Sequence, residues 1–193
     1  MSNPLLKTFG FACVLLLAGC ASKPQIAVES RDGVDFTAYK TYGYVEQSGT
    51  DRESYTTILT SHFKRAVDKE MQARGYSYSS AEPDLQVNFF SNVENRTESY
   101  STPQVSFGFF RSRSGVVLGM PLYGERVDTR NYKVGTVSIE VVDAARKELV
   151  WNGVLEGALS RKAMQNPANS VQTAVSQIFA RYPVQGAGTT PAQ

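Results

Sequence analysis

The stretch KVGTVSIEVVDAARKELVWNGVLEGAL, Lys133 to Leu159, decides the fold class. Lys133 to Val142 is rich in valine and isoleucine, whose branched side chains suit a pleated, half-buried surface. Asp143-Ala144-Ala145-Arg146-Lys147 has turn chemistry, and Leu149 to Leu159 returns as a second strand carrying Trp151, the only tryptophan. This reads as a β-hairpin. Trp151 fits a ligand-stacking platform or a core position, and a hairpin strand facing helices favours the core, which large aromatics dominate.

Working outward, Asn166 and Pro167 suit the N-cap and first position of a helix. Val171, Ala174, Val175, Ile178, Phe179 and Tyr182 recur on one face before Pro183 stops it. Earlier in the chain, Thr50-Asp51-Arg52-Glu53 has the T-x-x-E form of a capping box. Apolar residues follow three or four apart from Tyr55 to Met71, and Gly75 ends the run, which predicts an amphipathic helix of six to seven turns. Pro83 and Asp84 open a strand in which Leu85, Val87 and Phe89 alternate with Gln86 and Asn88, and two more strands are expected at Ile26 to Val28 and Tyr39 to Val45. The expectation is one α+β domain over residues 26–183: an antiparallel β-sheet with two helices packed on one face, followed by a frayed tail over 184–193.

Ahead of the domain, Lys7 supplies a positive charge, Phe9 to Leu17 an apolar run, and Leu17-Ala18-Gly19 small residues before Cys20. That is the layout of a secretory signal, too short to span a bilayer. It resembles the lipobox of bacterial lipoproteins. The resemblance implies cleavage after Gly19, a diacylglycerol on the Cys20 thiol and an acyl chain such as palmitate on the new amino group. Residues 1–19 are then the signal and 20–25 a lipidated tether, with Cys20 the only cysteine left and no internal disulfide available. Ala21, where aspartate would hold a Gram-negative lipoprotein at the inner membrane, implies the periplasmic face of the outer membrane.

Lys and Arg number 20 against 18 Asp and Glu, a net charge of +2. That balance lacks the basic footprint of a nucleic-acid binder. One histidine and two cysteines are too few for a zinc site of imidazole and thiolate ligands. His62 sits beside the apolar helix face with no patterned nucleophile and is expected to pack or face solvent; Glu94 and Glu98 read as solvated edge charges. Gly115 to Gly119 has G-x-x-x-G spacing but lacks the apolar stretch of about twenty residues that a membrane helix pair needs. We find no catalytic, cofactor-binding or metal-ligating motif.

Five stretches resemble, in order, motifs of the bacterial lipoprotein family catalogued as domain of unknown function 4136. They are Asp35 to Tyr42, Pro83 to Val87, Gly135 to Asp143, Leu149 to Gly153 and Ile178 to Pro183. The resemblance implies a cell-envelope lipoprotein with an α+β domain of unestablished activity, and it carries over no catalytic residue.

Periodicity is lost from Ser99 to Tyr132, where Phe107, Phe109, Phe110, Leu118 and Tyr123 mix with glycines and with Arg111 and Arg113. Such a segment is either an aromatic hairpin packed across the sheet or an exposed patch. As a patch, with Arg126 and Arg130 nearby, it suits a protein partner or a lipid headgroup surface. The functional expectation is a non-catalytic, lipid-anchored interaction or envelope-maintenance module, held to the membrane at Cys20, with an envelope protein as partner and no nucleic acid. The alternative is a carrier or enzyme with an apolar pocket between the sheet and residues 100–123.

Overall fold

The computed structural model describes residues 23–52, 56–111, 115 and 117–186. Six strands form one sheet in the order β1-β6-β5-β4-β2-β3. They are β1 (Gln25–Ser30), β2 (Thr41–Tyr44), β3 (Ser77–Tyr78), β4 (Leu85–Arg111), β5 (Val117–Asp143) and β6 (Glu148–Ala158). Among the described residues three helices accompany them: α1 (Ile58–Ala73), α2 (Arg161–Gln165) and α3 (Pro167–Phe179). The class is α+β, as expected, but the sheet is mixed. β2 pairs in parallel with both β3 and β4, while the other pairings are antiparallel. The parallel pairing of β2 and β3 follows from α1 between them, because a helical crossover returns the chain to the end where it started.

Alternation builds the core. Leu85, Val87 and Phe89 of β4, Ile139 and Val141 of β5, and Trp151 and Leu155 of β6 are buried. Register aligns them in rows across the sheet, such as Val87, Val141, Trp151 and Ser30. Gly153 falls in the next row, with Phe89, Ile139 and Val28. A Cβ there would stand 2.4 Å from Ile178 and 2.6 Å from the Trp151 ring, so the absence of a side chain lets α3 sit close to the sheet. Phe63 of α1 stacks on Phe89 with centroids 5.0 Å apart, and Phe179 at the end of α3 meets Trp151 at 5.6 Å. Arg74, just beyond α1, donates to the Phe179 carbonyl at 2.6 Å and to Glu70 at 2.8 Å, tying the ends of the two helices together.

α1 begins at Ile58, later than Thr50 to Glu53 predicts, and its cap is Thr57, whose hydroxyl accepts the Thr60 amide at 3.1 Å. Thr50 instead shares a hydroxyl hydrogen bond with Thr60 at 2.7 Å and accepts from Thr57 through its carbonyl, so it braces the cap from outside the helix. Glu53 lies outside the described residues. α3 starts at Pro167 behind the Asn166 cap, as predicted, and the short α2 precedes it.

At the end of the sheet that holds the β5 to β6 turn, two aspartates fix the connections. Asp84 accepts the Lys40 and Thr41 amides at 2.8 and 2.9 Å, which holds its carboxyl below the usual carboxylate range. Asp143 accepts the Arg146 amide at 2.8 Å and the Tyr39 hydroxyl at 2.7 Å, with the same consequence.

Candidate functional site

β4 and β5 are each 27 residues long and pair along their whole length, from Leu85 with Asp143 to Arg111 with Val117. Their neighbours stop much earlier. β2 accompanies β4 only as far as Val87, and β6 accompanies β5 only from Val134 onward. Beyond Glu94 and Val134 the pair therefore leaves the sheet as a two-stranded ribbon. At about 3.3 Å per residue the ribbon projects roughly 55 Å. It is exposed throughout the described side chains of 94–107 and 121–133, with only Asp128 and Tyr132 half-buried.

The inner part of the ribbon is polar and cross-braced. Arg96 pairs with Glu156 of β6 at 2.8 Å, Thr97 donates to Asn131 at 2.7 Å, and Tyr132 donates to Glu98. Hydrogen bonding to that carboxylate raises the Tyr132 phenol above its ordinary value. Further out, beyond the Arg126–Asp128 ion pair, large apolar groups are exposed as well. Val105 is 52%, Phe107 64% and Tyr123 82% exposed, with Val105 opposite Tyr123 and Phe107 opposite Pro121. Leu122, one residue out of phase and hence on the other face, is 50% exposed.

The edges of the ribbon are blunted. In β4, the Asp84 carbonyl accepts from Ala144 toward β5, whereas the Val87 carbonyl accepts from Val45 on the opposite side. The same alternation turns the nitrogens of Pro103 and Pro121 to the two free edges, where proline deletes the N–H that an added strand would use.

Phe107 and Tyr123 thus stand on the ribbon, exposed as an interaction patch requires. The side chains of Phe109, Phe110, Arg111 and Leu118, and all of Arg113, lie outside the described residues, as does Cys20. The backbones of Phe110 and Leu118 are paired directly across the ribbon. The segment does form a hairpin, but it does not pack across the sheet. Among the described residues, 100–107 and 121–123 lie beyond the end of the neighbouring strands and so do not cover the sheet. An apolar groove of about 770 Å³ is found instead at the base of the ribbon. Pro24, Leu59, Val137, Leu155, Met164 and Val171 line it, so it opens between the helices and the end of the sheet. Nothing in the sequence marked it, since its walls come from six separate elements and the segment before β1.

His62 is half-buried, and its Nδ1 has no hydrogen-bond partner among the described residues. Glu94 and Glu98 are exposed on the ribbon. Trp151 is enclosed by Phe179 and Tyr182 and offers no stacking platform. Among the described residues no cluster of His, Cys, Asp and Glu suits a metal ion, and no helix is long and apolar enough to cross a membrane.

The chain has no match among curated proteins. Among solved structures, a PDZ domain protein from Parabacteroides distasonis is similar, with 15% identity and a TM-score of 0.53 over 86% of this chain. The chain spans 37% of the length of that protein, and the likeness concerns the fold alone. PelC from Paraburkholderia phytofirmans, crystallised as a dodecamer, aligns at 10% identity over 86% of this chain and 99% of its own, with a TM-score of 0.44. A family model described as Domain of unknown function (DUF4136) matches residues 27–184, so the chain belongs to that family.

Proposed function

We propose that this chain is a lipid-anchored, non-catalytic interaction module of the cell envelope, attached through Cys20 at the periplasmic face of an outer membrane. In this reading α1 and α3 cover one face of the sheet to make a rigid base, and the ribbon presents the contacts. The observation that carries it is the ribbon: a roughly 55 Å projection with exposed Val105, Phe107, Leu122 and Tyr123. Exposed apolar clusters such as Val105, Phe107 and Tyr123 on one face mark interaction sites. The order Leu17-Ala18-Gly19-Cys20 supports the anchor, and two or three acyl chains hold far more firmly than one. The apolar groove favours a second reading, a carrier of an apolar ligand, since its volume falls within the range of small-molecule sites.

Fractionation tests the anchor. The native chain is expected in the outer-membrane fraction after a salt wash, and Cys20→Ser in the soluble or unprocessed fraction. A processed Cys20→Ser protein retained in washed membranes would contradict the assignment.

A further inference from the structure

β1 runs antiparallel to β6, with Gln25 opposite Glu156 and Ser30 opposite Trp151. Gln25 therefore lies at the end of the sheet from which the ribbon departs, and Pro24 packs over Gly157 there. The chain toward its N-terminus and the ribbon leave the domain through the same end. Cys20 precedes Pro24 by four residues, a reach of about 15 Å. From Glu94 the ribbon covers about 33 Å before the Gln104 and Gly124 pair. Inward of that pair β5 carries Glu125, Arg126 and Asp128; outward of it, Gln104 to Phe110 on β4 and Val117 to Gly124 on β5 contain no charged residue, up to Arg111. A ribbon inclined to the bilayer brings this part to the plane that the attachment point reaches.

The exposed apolar groups sit on both faces of this part: Val105, Phe107 and Tyr123 on one, Leu122 on the other. A partner seated on one face would leave the other in water, whereas lipid surrounds both. Pro103 and Pro121 disfavour the remaining protein option, an added strand along either edge. We propose that the uncharged outer part of the ribbon is immersed in the interfacial zone of the lipid bilayer, as a second membrane contact beside the anchor. Each ribbon keeps two free edges, whose backbone groups cannot stay unpaired in the hydrocarbon core. The ribbon therefore lies in the interface and does not span. The direction of approach rests on the lipid-anchored reading; the apolar composition of the ribbon does not.

Phe107→Trp in the full chain tests this. The protein is reconstituted in phosphatidylethanolamine–phosphatidylglycerol vesicles with ordinary or dibrominated acyl chains, and flotation, fluorescence and intact mass are read on the same sample. Buried Trp151 gives the native chain an emission indifferent to bromine. The emission added by Phe107→Trp is expected to fall to less than half in brominated vesicles. Equal added emission in both vesicle types, with the protein floating, overturns the proposal and leaves the anchor standing. A shift of the added emission with protein concentration in lipid-free detergent, without bromine quenching, also overturns it and indicates contact between copies. An intact mass without acyl chains on Cys20 refutes the anchor reading, and quenching still decides the ribbon independently.

Discussion

Trp151→Ala is expected to lower the unfolding free energy by about 3–5 kcal/mol, a large share of what a single domain possesses. The indole is fully buried at the junction of β6 and the end of α3, 5.6 Å from the Phe179 ring and 4.9 Å from Tyr182. Its neighbours cannot close over the cavity, because the sheet backbone is fixed by β1 on one side and β5 on the other. Trp151→Phe should cost less, since the indole N–H has no hydrogen-bond partner among the described residues and its removal breaks nothing. Denaturant unfolding followed by far-ultraviolet circular dichroism measures both. An unchanged midpoint in Trp151→Ala would mean that the junction is not the core.

Asp68→Ala carries the second large effect. Asp68 Oδ1 accepts the Tyr42 and Tyr44 hydroxyls, each at 2.6 Å, and so joins α1 to β2. Tyr42 is fully buried. Removing the acceptor takes this partner from the buried Tyr42 phenol, at about 1–3 kcal/mol for an unsatisfied group, whereas Tyr44 still donates to the Lys64 carbonyl at 2.9 Å. The expected loss is about 1–3 kcal/mol, and Asp68→Asn, which keeps an acceptor, should recover part of it. Burial first, and then the Asp68 carboxylate, push both phenols well above their ordinary value. The unfolded chain releases these protons near pH 10 while the folded chain keeps them. Their contribution to stability is thus complete below that pH and is lost as pH rises through the folded values. In Asp68→Ala this alkaline loss should flatten relative to the native chain, as seen in melting temperature against pH.

What could be read from the sequence follows from where burial is one-sided. The β5 to β6 hairpin was legible because one face of Ile139, Val141 and Trp151 is covered and the other is not, which writes an alternation into the residues. α3 was legible because Asn166 and Pro167 act locally, through backbone amides within a few residues. The start of α1 was misplaced because Thr50 and Thr57 offer the same hydroxyl, and only the tertiary contact with Thr60 decides which one caps. The parallel placement of β2 left no local mark, since pairing direction depends on how α1 returns the chain. The ribbon was illegible beyond about Val93 for a simple physical reason. Neither of its faces is buried, so nothing selects a period, and its mixture of aromatics, glycines and arginines shows no strand pattern. The groove at its base was hidden for a different reason, being assembled from residues far apart in the chain.

The central claim is that the ribbon is a functional projection outside the core, and shortening it is the most direct test. In a variant where Arg96 is joined to Tyr132 through Asn-Gly in place of residues 97–131, the ladder is closed by a tight turn suited to hairpins. Every buried residue of the core stays in place. Thermal unfolding of this variant is predicted to occur within about 4 °C of the native midpoint, equivalent to roughly 1 kcal/mol for a domain of this size. A fall of more than about 10 °C, or failure to fold, would show that the ribbon is part of what holds the domain together and would contradict the account.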